Sequence, residues 1–166
     1  STNPTATSEV SPTVKLALDA FLKDIMKDTA GFTPPKKKNG APRVVIVCQS
    51  AIRCVEVCRM LGDLKIGKIG KLFGKHKQQS QQAYFLKNTS FSCAIGTPSR
   101  IGKLVADGSL NLKHCCRCVF DATYEDSKQR TLFEQPDVRR DLLGLLREHL
   151  IKLVKASDGD MKLAIF

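Results

Sequence analysis

The fold of this chain is decided by the stretch Cys93-Ala94-Ile95-Gly96-Thr97-Pro98-Ser99-Arg100-Ile101. A short apolar run stops at Gly96 and turns directly into the start of a helix. Thr97 is a favourable N-cap residue, and Pro98 suits the first helical position because it has no N–H group to leave unpaired. Apolar residues then recur at helical spacing from Ile101 onward. The stretch therefore predicts a strand that feeds a helix N-terminus at the carboxyl edge of a sheet.

This predicted turn has the features of an anion site. The free N–H groups and the positive end of the helix dipole attract negative charge. Arg100 and Lys103 are three residues apart, so they lie on the same side of the helix and add to that charge. The candidate nucleic-acid contacts of the turn are therefore Thr97, Pro98, Ser99, Arg100 and Lys103. Taken alone, the turn is also typical of a capped helix start with solvated cations.

The same arrangement recurs earlier in the chain. Residues 43–48 form a continuous apolar run of strand length, and Ser50 can cap a helix over residues 51–61. The predicted apolar face of that helix consists of Ala51, Val55, Cys58 and Leu61. Arg53 is expected on the opposite side together with Arg59. Ser50 and Arg53 therefore join the candidate nucleic-acid contacts.

A third buried strand is predicted over residues 117–121, with the acidic side chain of Asp121 at its carboxyl end. In open α/β sheets, ligands bind outside the carboxyl ends of the strands. Ser50, the turn at 97–100 and Asp121 are therefore expected along one edge, which we call the carboxyl rim. An aspartate at a strand end is also typical of a carboxylate held by nearby backbone N–H groups.

Strands alternate with helices along the whole sequence. Further helices are predicted over 12–30, 80–87, 98–106 and from 136 onward, and further strands over 65–74 and 161–166. The last helix is expected to bury an apolar face that includes Ile151. This alternation is typical of a three-layer α/β domain, with a mostly parallel sheet and helices on both faces. We expect one such domain over residues 12–166, with its end inside the sheet, and a disordered tail over residues 1–11.

The charge balance indicates a polyanionic partner. The chain has 166 residues, 42% of them hydrophobic, and a formal net charge of +11. Such a basic domain favours nucleic acid or an anionic membrane surface. No apolar run approaches the length of a membrane span, so we set the membrane aside. The densest basic segment is 65–77, in which Lys75 and Lys77 are the last two candidate nucleic-acid contacts.

The sequence offers no recognisable set of residues for catalysis or metal binding. The nearest match to a phosphate loop, residues 62–68, is followed by Ile69 where a Ser or Thr must hold magnesium. Cys54 and Cys58 lie on a predicted helix, whereas metal sites usually place paired cysteines on loops. Seven cysteines without a recognisable secretory leader predict a reduced compartment. We therefore expect no cofactor, no bound nucleotide, no metal and no catalytic residue.

Four short segments resemble parts of the first RecA-like domain of DEAD-box RNA helicases. In that family's order and at similar spacing, residues 72–75, 94–101 and 118–121 resemble its double-glycine, Thr-Pro-Gly-Arg and Asp-Glu-Ala-Asp motifs, and residues 49–51 resemble its Pro-Thr-Arg turn. The departures fall on the catalytic elements. The phosphate loop is missing, Ala122 replaces the glutamate that would activate water, and Tyr124 replaces the last aspartate.

This selective loss is similar to that in the Cms-type ribosome-assembly factors, which are degenerate helicase-like proteins of the small-subunit processome. The resemblance implies a single RecA-like domain of the P-loop NTPase type without the P-loop, in a non-enzymatic protein of the nucleus and nucleolus. Its implied partners are pre-ribosomal RNA, pre-ribosomal proteins or both. Ser99 and Lys75 replace helicase glycines, and Ala51 replaces an RNA-contacting arginine. The rim is therefore expected to hold either RNA or a protein.

Two other functions remain open from the sequence. The chain is alternatively the N-terminal domain of an ATP-dependent RNA helicase, in which case Asp121 is the surviving part of the hydrolytic set. A small-molecule enzyme on the same fold, such as a transferase, is the other alternative, because fold alone does not determine function. RNA-stimulated phosphate release would favour the first of these, and thermal stabilisation by a small ligand would favour the second.

Overall fold

Five parallel strands form one sheet at the centre of the computed structural model, which describes residues 11–74 and 78–166. The strands are β1 (Val44–Val47), β2 (Ile69–Leu72), β3 (Cys93–Gly96), β4 (Arg117–Phe120) and β5 (Lys162–Ile165). Their order across the sheet is β2-β3-β1-β4-β5, and each neighbouring pair is parallel. The predicted α/β class with a parallel sheet is confirmed. Except for Ser11, the predicted tail falls outside the described residues.

Helices cover both faces of the sheet, which confirms the predicted three layers. One face carries α1 (Pro12–Met26) and α2 (Ala51–Gly62). The other face carries α3 (Gln79–Asn88), α4 (Pro98–Ala106), α5 (Pro136–Leu145) and α6 (Ile151–Ala156). A π-helical turn, Leu146–Leu150, joins α5 to α6. None of the helices in the two described ranges combines the length and the apolar content needed to cross a membrane.

The side chains of each central strand alternate between two hydrophobic cores. In β1, Val44 and Ile46 pack with α1 and α2, whereas Val45 and Val47 pack with the helices of the other face. All four residues of β1 are buried, and so are those of β3 and β4. Because both faces are covered, the central strands occur in the sequence as continuous apolar runs.

Gly96 allows β3 to turn into α4 at close range. It pairs with Leu72 of β2 and with Val47 of β1, so it lies between two neighbouring strands. A Cβ atom at this position would lie 2.6 Å from the carbonyl oxygen of Leu72 and 3.0 Å from Cγ1 of Ile101. Any side chain would therefore push β2 or α4 out of place.

The first helix is shorter than predicted. It ends at Met26 and not at residue 30. The hydroxyl of Thr29 donates to the carbonyl oxygen of Met26 at 2.8 Å and accepts from the N–H of Gly31 at 3.0 Å. The Thr29 hydroxyl thus occupies the carbonyl oxygen of Met26, to which a backbone N–H of the next helical turn would otherwise donate. The helix therefore ends at Met26.

Strand β2 is also shorter than the strand predicted over residues 65–74. It covers four residues, Ile69–Leu72. Positive φ angles at Lys65, Gly67 and Gly74 bend the chain away from an extended path on both sides of the strand. The alternation of apolar and basic residues therefore overstates the length of this strand.

The π turn changes which residues of the C-terminal helix are buried. Ile151, predicted on the apolar face, is 43% exposed. A π turn contains more residues than an α turn and rotates the positions that follow it. Leu153 and Val154 still pack against the core. The helical period alone does not reveal such a shift.

Candidate nucleic-acid interface

The turns that follow β1, β3 and β4 lie side by side at the carboxyl rim. Val47 is the register partner of both Gly96 and Phe120. The N–H of Cys48 donates to the carbonyl oxygen of Gly96 at 2.9 Å, and the N–H of Asp121 donates to that of Val47 at 3.0 Å. The three turns therefore leave the sheet at the same level, although they are far apart in the sequence.

Two helices begin at this rim in different ways. The hydroxyl oxygen of Ser50 accepts a hydrogen bond from the N–H of Arg53 at 3.3 Å, as predicted for an N-cap. Thr97 occupies the N-cap position of α4 with an extended backbone, but its side chain makes no capping bond. Pro98 fills the first helical position and is buried. The predicted cap is thus correct in position and wrong in its hydrogen bond.

A buried network centred on Arg53 joins α2 to the turn after β4. Its Nε donates to Oδ2 of Asp121 at 2.6 Å, and its two Nη atoms donate to Glu56 and Thr123, each at 3.0 Å. Thr123 also donates to Oδ1 of Asp121, through its N–H at 3.1 Å and its hydroxyl at 2.6 Å. Arg53 is 7% exposed and Asp121 is 2% exposed. The ion pair is therefore internal, and both carboxylate oxygens of Asp121 are engaged.

The side of α2 that carries Arg53 faces the protein interior. The prediction that Arg53 lies with Arg59 opposite the apolar face is wrong. Val55, a member of the predicted apolar face, is 37% exposed. Burial by itself lowers the pKa of the Arg53 guanidinium, but the hydrogen bonds and charges of Asp121 and Glu56 together raise it above its ordinary value. A charged arginine is stable in this position because two carboxylates compensate it, and the sequence spacing does not show those partners.

Gln82 of α3 holds Arg100 at the rim. Nη1 of Arg100 donates to Oε1 of Gln82 at 2.7 Å. The buried amide of Gln82 donates in turn to the carbonyl oxygens of Lys71 and Phe73, at 3.2 and 3.1 Å. One side chain therefore ties the start of α4 to the end of β2.

The other predicted contact residues differ in accessibility. Ser50, Thr97 and Ser99 are half-buried, and Lys103 is exposed. Lys75 and Lys77 lie outside the described residues. The structure therefore brings the helix starts of α2 and α4 to one rim and leaves the placement of the basic segment after β2 open.

Two residues that organise the rim were not found from the sequence. Thr123 follows Asp121 by two positions, which is the spacing of a turn in which an aspartate accepts hydrogen bonds from its own chain. That spacing could have identified it. Gln82 lies on a largely polar helix, and no pattern distinguishes it from the neighbouring glutamines.

A cavity of about 390 Å³ opens at the rim between the starts of α2 and α5. Nε2 of Gln49, which lines the cavity, donates to the carbonyl oxygen of Arg130 at 3.0 Å. Oε1 of Gln49 is buried and has no hydrogen-bond partner among the residues described. Ile52, which is 68% exposed, and Tyr124 also line the cavity. This mixture of an acceptor oxygen and apolar surface suits a nucleotide base or a protein side chain.

The cysteines lie mostly in the core. All seven are free thiols, and only Cys58 among them is not buried. Burial is the main cause that raises the pKa of Cys58 to about 11 and that of Cys115 to about 12, which keeps both thiols protonated near neutral pH. Within the described ranges, no three His, Cys, Asp or Glu side chains come together as a metal site would require.

Two DEAD-box proteins of known structure are similar to this fold. A DEAD box protein from Methanococcus jannaschii superposes with a TM-score of 0.51 and 23% identity, covering 79% of this chain and 32% of that protein. The yeast DEAD-box splicing factor Prp28 gives a TM-score of 0.54 and 15% identity, covering 92% of this chain and 33% of that protein. At these identities the likeness concerns the fold alone, and it confirms the predicted RecA-like architecture.

Sequence relatives are more specific. Human protein CMSS1 is 31% identical over 154 residues, which cover 90% of this chain and 53% of the human protein. Protein CMS1 of Chaetomium thermophilum is 30% identical over 131 residues, which cover 78% of this chain and 52% of that protein. The chain spans about half the length of these relatives. A family model described as the U3-containing 90S pre-ribosomal complex subunit CMS1 matches residues 5–166. Because that match extends over nearly the whole sequence, the chain belongs to the CMS1 family of 90S pre-ribosomal complex subunits.

Proposed function

We propose that this chain is a non-enzymatic subunit of the small-subunit processome in the nucleolus, and that its carboxyl rim contacts pre-ribosomal RNA. Membership of a family of 90S pre-ribosomal subunits supports this setting. The contacting residues of the proposal are Ser50, Thr97, Ser99, Arg100 and Lys103, with Lys75 and Lys77 of the basic segment 65–77. Pro98 is buried and has a positioning role at the start of α4. Arg53 has a positioning role, because its guanidinium nitrogens already bind groups of the protein.

The observation that carries the proposal is the separation of charges at the rim. Asp121 is internal and paired with Arg53. Lys103 is exposed, and Gln82 holds Arg100 beside the N-terminus of α4. A phosphate that approaches this helix start meets the positive end of the dipole and the Arg100 guanidinium, and Lys103 adds positive charge from the last turn of the same helix. The carboxylate of Asp121 is neutralised by Arg53.

The same arrangement supports a non-enzymatic role. ATP hydrolysis by helicase-like proteins needs acidic groups that hold magnesium and orient the attacking water. Arg53 and Thr123 occupy both carboxylate oxygens of Asp121, and Ala122 follows it where an acid would be needed. A metal ion at this carboxylate would lie beside the positive charge of Arg53, which opposes its binding.

The salt dependence of RNA binding tests the contact. The double variant Arg100→Ala/Lys103→Ala should bind single-stranded pre-ribosomal RNA more weakly, to a similar extent for different RNA sequences. Loss of two phosphate contacts should lower the slope of log affinity against log salt by about 1.4. Fluorescence anisotropy over a series of salt concentrations measures both quantities.

The matched control is Arg59→Ala/Lys87→Ala, which removes the same charge from exposed positions. Arg59 lies about 13 Å along the α2 axis from Ser50, so the control should keep the salt slope of the unmodified protein. Salt-insensitive binding, or an unchanged slope in the rim variant, would indicate a protein interface at the rim. RNA-stimulated release of phosphate from ATP by the purified protein would contradict the non-enzymatic role.

A further inference from the structure

A cavity of about 530 Å³ opens at the edge of the sheet opposite the carboxyl rim. We call it the amino-edge cavity, because it lies where β1, β4 and β5 begin. Its sides are formed by residues that follow α1 and α6. The strands have four residues each, so the cavity and the rim are separated by about 13 Å of sheet. The cationic side chains of its lining are Arg43, Lys113, Arg117 and Lys162.

Arg117 is buried in this lining without a carboxylate partner. It is 6% exposed, and its Nε donates to the carbonyl oxygen of Ile25 at 2.7 Å. Its Nη1 donates to the carbonyl oxygens of Cys116 and Asp160, at 2.6 and 3.2 Å. Within the described part of the chain no ion pair joins it to an acidic side chain. Carbonyl oxygens satisfy its donors but do not neutralise its charge, in contrast to the two carboxylates around Arg53.

Arg43 also has donor capacity that the protein does not use. Its Nη1 donates to the carbonyl oxygen of His114 at a long 3.3 Å. Its Nε is buried and has no acceptor among the residues described. A buried donor without an acceptor is unfavourable, so the Arg43 guanidinium is incompletely compensated by the protein. An oxyanion in the adjoining cavity would supply the missing negative charge.

The charges around the cavity do not cancel. Its four cationic side chains face two acidic ones, Asp28 and Asp160. In the described residues neither carboxylate forms an ion pair with the lining cations. A concave site with one excess sign of charge concentrates the field and attracts the opposite ion. This balance of charges favours an anion in the amino-edge cavity.

We infer that the amino-edge cavity binds the phosphate–ribose backbone of an RNA strand. Guanidinium groups match the geometry of phosphate oxygens, and the volume is that of a pocket for a small organic ligand such as one nucleotide. The carboxylates of Asp28 and Asp160 suit ribose, because its 2′-hydroxyl is a hydrogen-bond donor. An acidic peptide brings carboxylates but few such donors. This site is separate from the rim and does not depend on the function proposed for it.

NMR of the Arg Nε–Hε groups tests this site directly in the whole chain. Titration with an oligouridine should shift the signals of Arg43 and Arg117. Lys113→Glu/Lys162→Glu reverses two exposed charges of the lining and should weaken this response at least about tenfold. The matched control is Lys68→Glu/Lys87→Glu, whose exposed lysines lie at the far side of the sheet beside β2 and should leave the response unchanged.

Two further titrations distinguish RNA binding in this cavity from RNA binding at the rim and from binding of an acidic protein segment. The rim variant Arg100→Ala/Lys103→Ala should retain the shifts at Arg43 and Arg117, so a failure of the rim proposal would leave this result intact. An oligoaspartate of equal length should produce little change. Shifts with oligoaspartate and none with oligouridine would overturn the inference in favour of an acidic protein segment. The absence of shifts with both probes would overturn it entirely.

Discussion

At the scale of single residues, Arg53 has the largest effect on the chemistry of the carboxyl rim. Its guanidinium lies 2.6 Å from the carboxylate of Asp121, and both side chains are buried. The same side chain also binds Glu56 and Thr123. This ion pair therefore joins α2 to the turn after β4.

Replacing this arginine tests the ion pair. Arg53→Met should lower the free energy of unfolding by about 3 kcal/mol, because it leaves the buried carboxylate of Asp121 without its counter-charge. Urea denaturation monitored by circular dichroism measures the loss. The control Arg59→Met, at an exposed position of the same helix, should change stability by less than about 0.5 kcal/mol. Adding Asp121→Asn to Arg53→Met should recover part of the loss, and no recovery would contradict the pairing.

The two helix starts of the rim give a second prediction. Ser50→Ala should cost about 1 kcal/mol of stability, because it removes the cap bond to the N–H of Arg53. Thr97→Ala should cost clearly less, since the Thr97 side chain makes no capping bond. Thermal unfolding of both variants measures the difference. Equal losses would show that Thr97 caps α4 in solution.

At the scale of secondary-structure elements, the contact between β3 and α4 depends on one glycine. Gly96→Ala should lower the free energy of unfolding by about 2 kcal/mol, because the added Cβ would lie 2.6 Å from the Leu72 carbonyl oxygen. Gly102→Ala, within α4, should instead raise it by about 0.5 to 1 kcal/mol. That position has nothing within 4 Å of an added Cβ, and alanine favours a helix. Chemical denaturation of the two variants checks both signs, and a stable Gly96→Ala variant would contradict the packing.

The elements also explain why the two edges of the sheet differ. At the carboxyl rim, side chains of α2 and α3 bind groups of the neighbouring turns, as Arg53 and Gln82 show. At the amino edge, Arg43 and Arg117 donate to carbonyl oxygens, and no carboxylate among the described residues forms an ion pair with them. The rim is therefore partly neutralised from within, whereas the amino-edge cavity keeps an excess of positive charge.

At the scale of the whole molecule, the net charge of +11 and a few carboxylates set the response to acid. The backbone N–H of Arg130 lowers the pKa of Asp126, and that of Thr131 lowers the pKa of Glu134. A carboxyl whose pKa is lowered by folding stabilises the protein above its unfolded pKa, and that contribution is lost as pH falls through the folded pKa. Protonation also increases the repulsion among the cations.

The melting temperature should therefore stay nearly constant near neutral pH and fall as pH drops below about 4. Differential scanning calorimetry across this range measures the change. Asp126→Asn should make the decrease less steep, because one of the linked carboxyls is then absent. A melting temperature that rises in acid would contradict the direction of both pKa shifts.

The sequence by itself determined the succession of strands and helices along the chain, the parallel α/β class and the turns that meet at the rim. These follow from local physics: apolar periodicity, the N-cap at Ser50 and the proline at the start of α4 act over a few residues. The family resemblance was likewise visible in short motifs and in the departures from them. The ends of α1 and β2 were less accurate, since a hydroxyl bond at Thr29 and positive φ angles near β2 decide them.

Only the tertiary structure decided which charges are internal. Arg53 meets Asp121 across 68 positions of the chain, and Arg117 meets the carbonyl of Ile25 across 92 positions. Local patterns assign Arg53 to the exposed side of its helix, because a cation without a visible partner is expected in water. They place Arg117 in a buried strand, but they do not show what its side chain binds. The register of the parallel sheet supplies the missing partners and creates the amino-edge cavity. Burial of a charge depends on long-range contacts, and these exist only once the chain has folded.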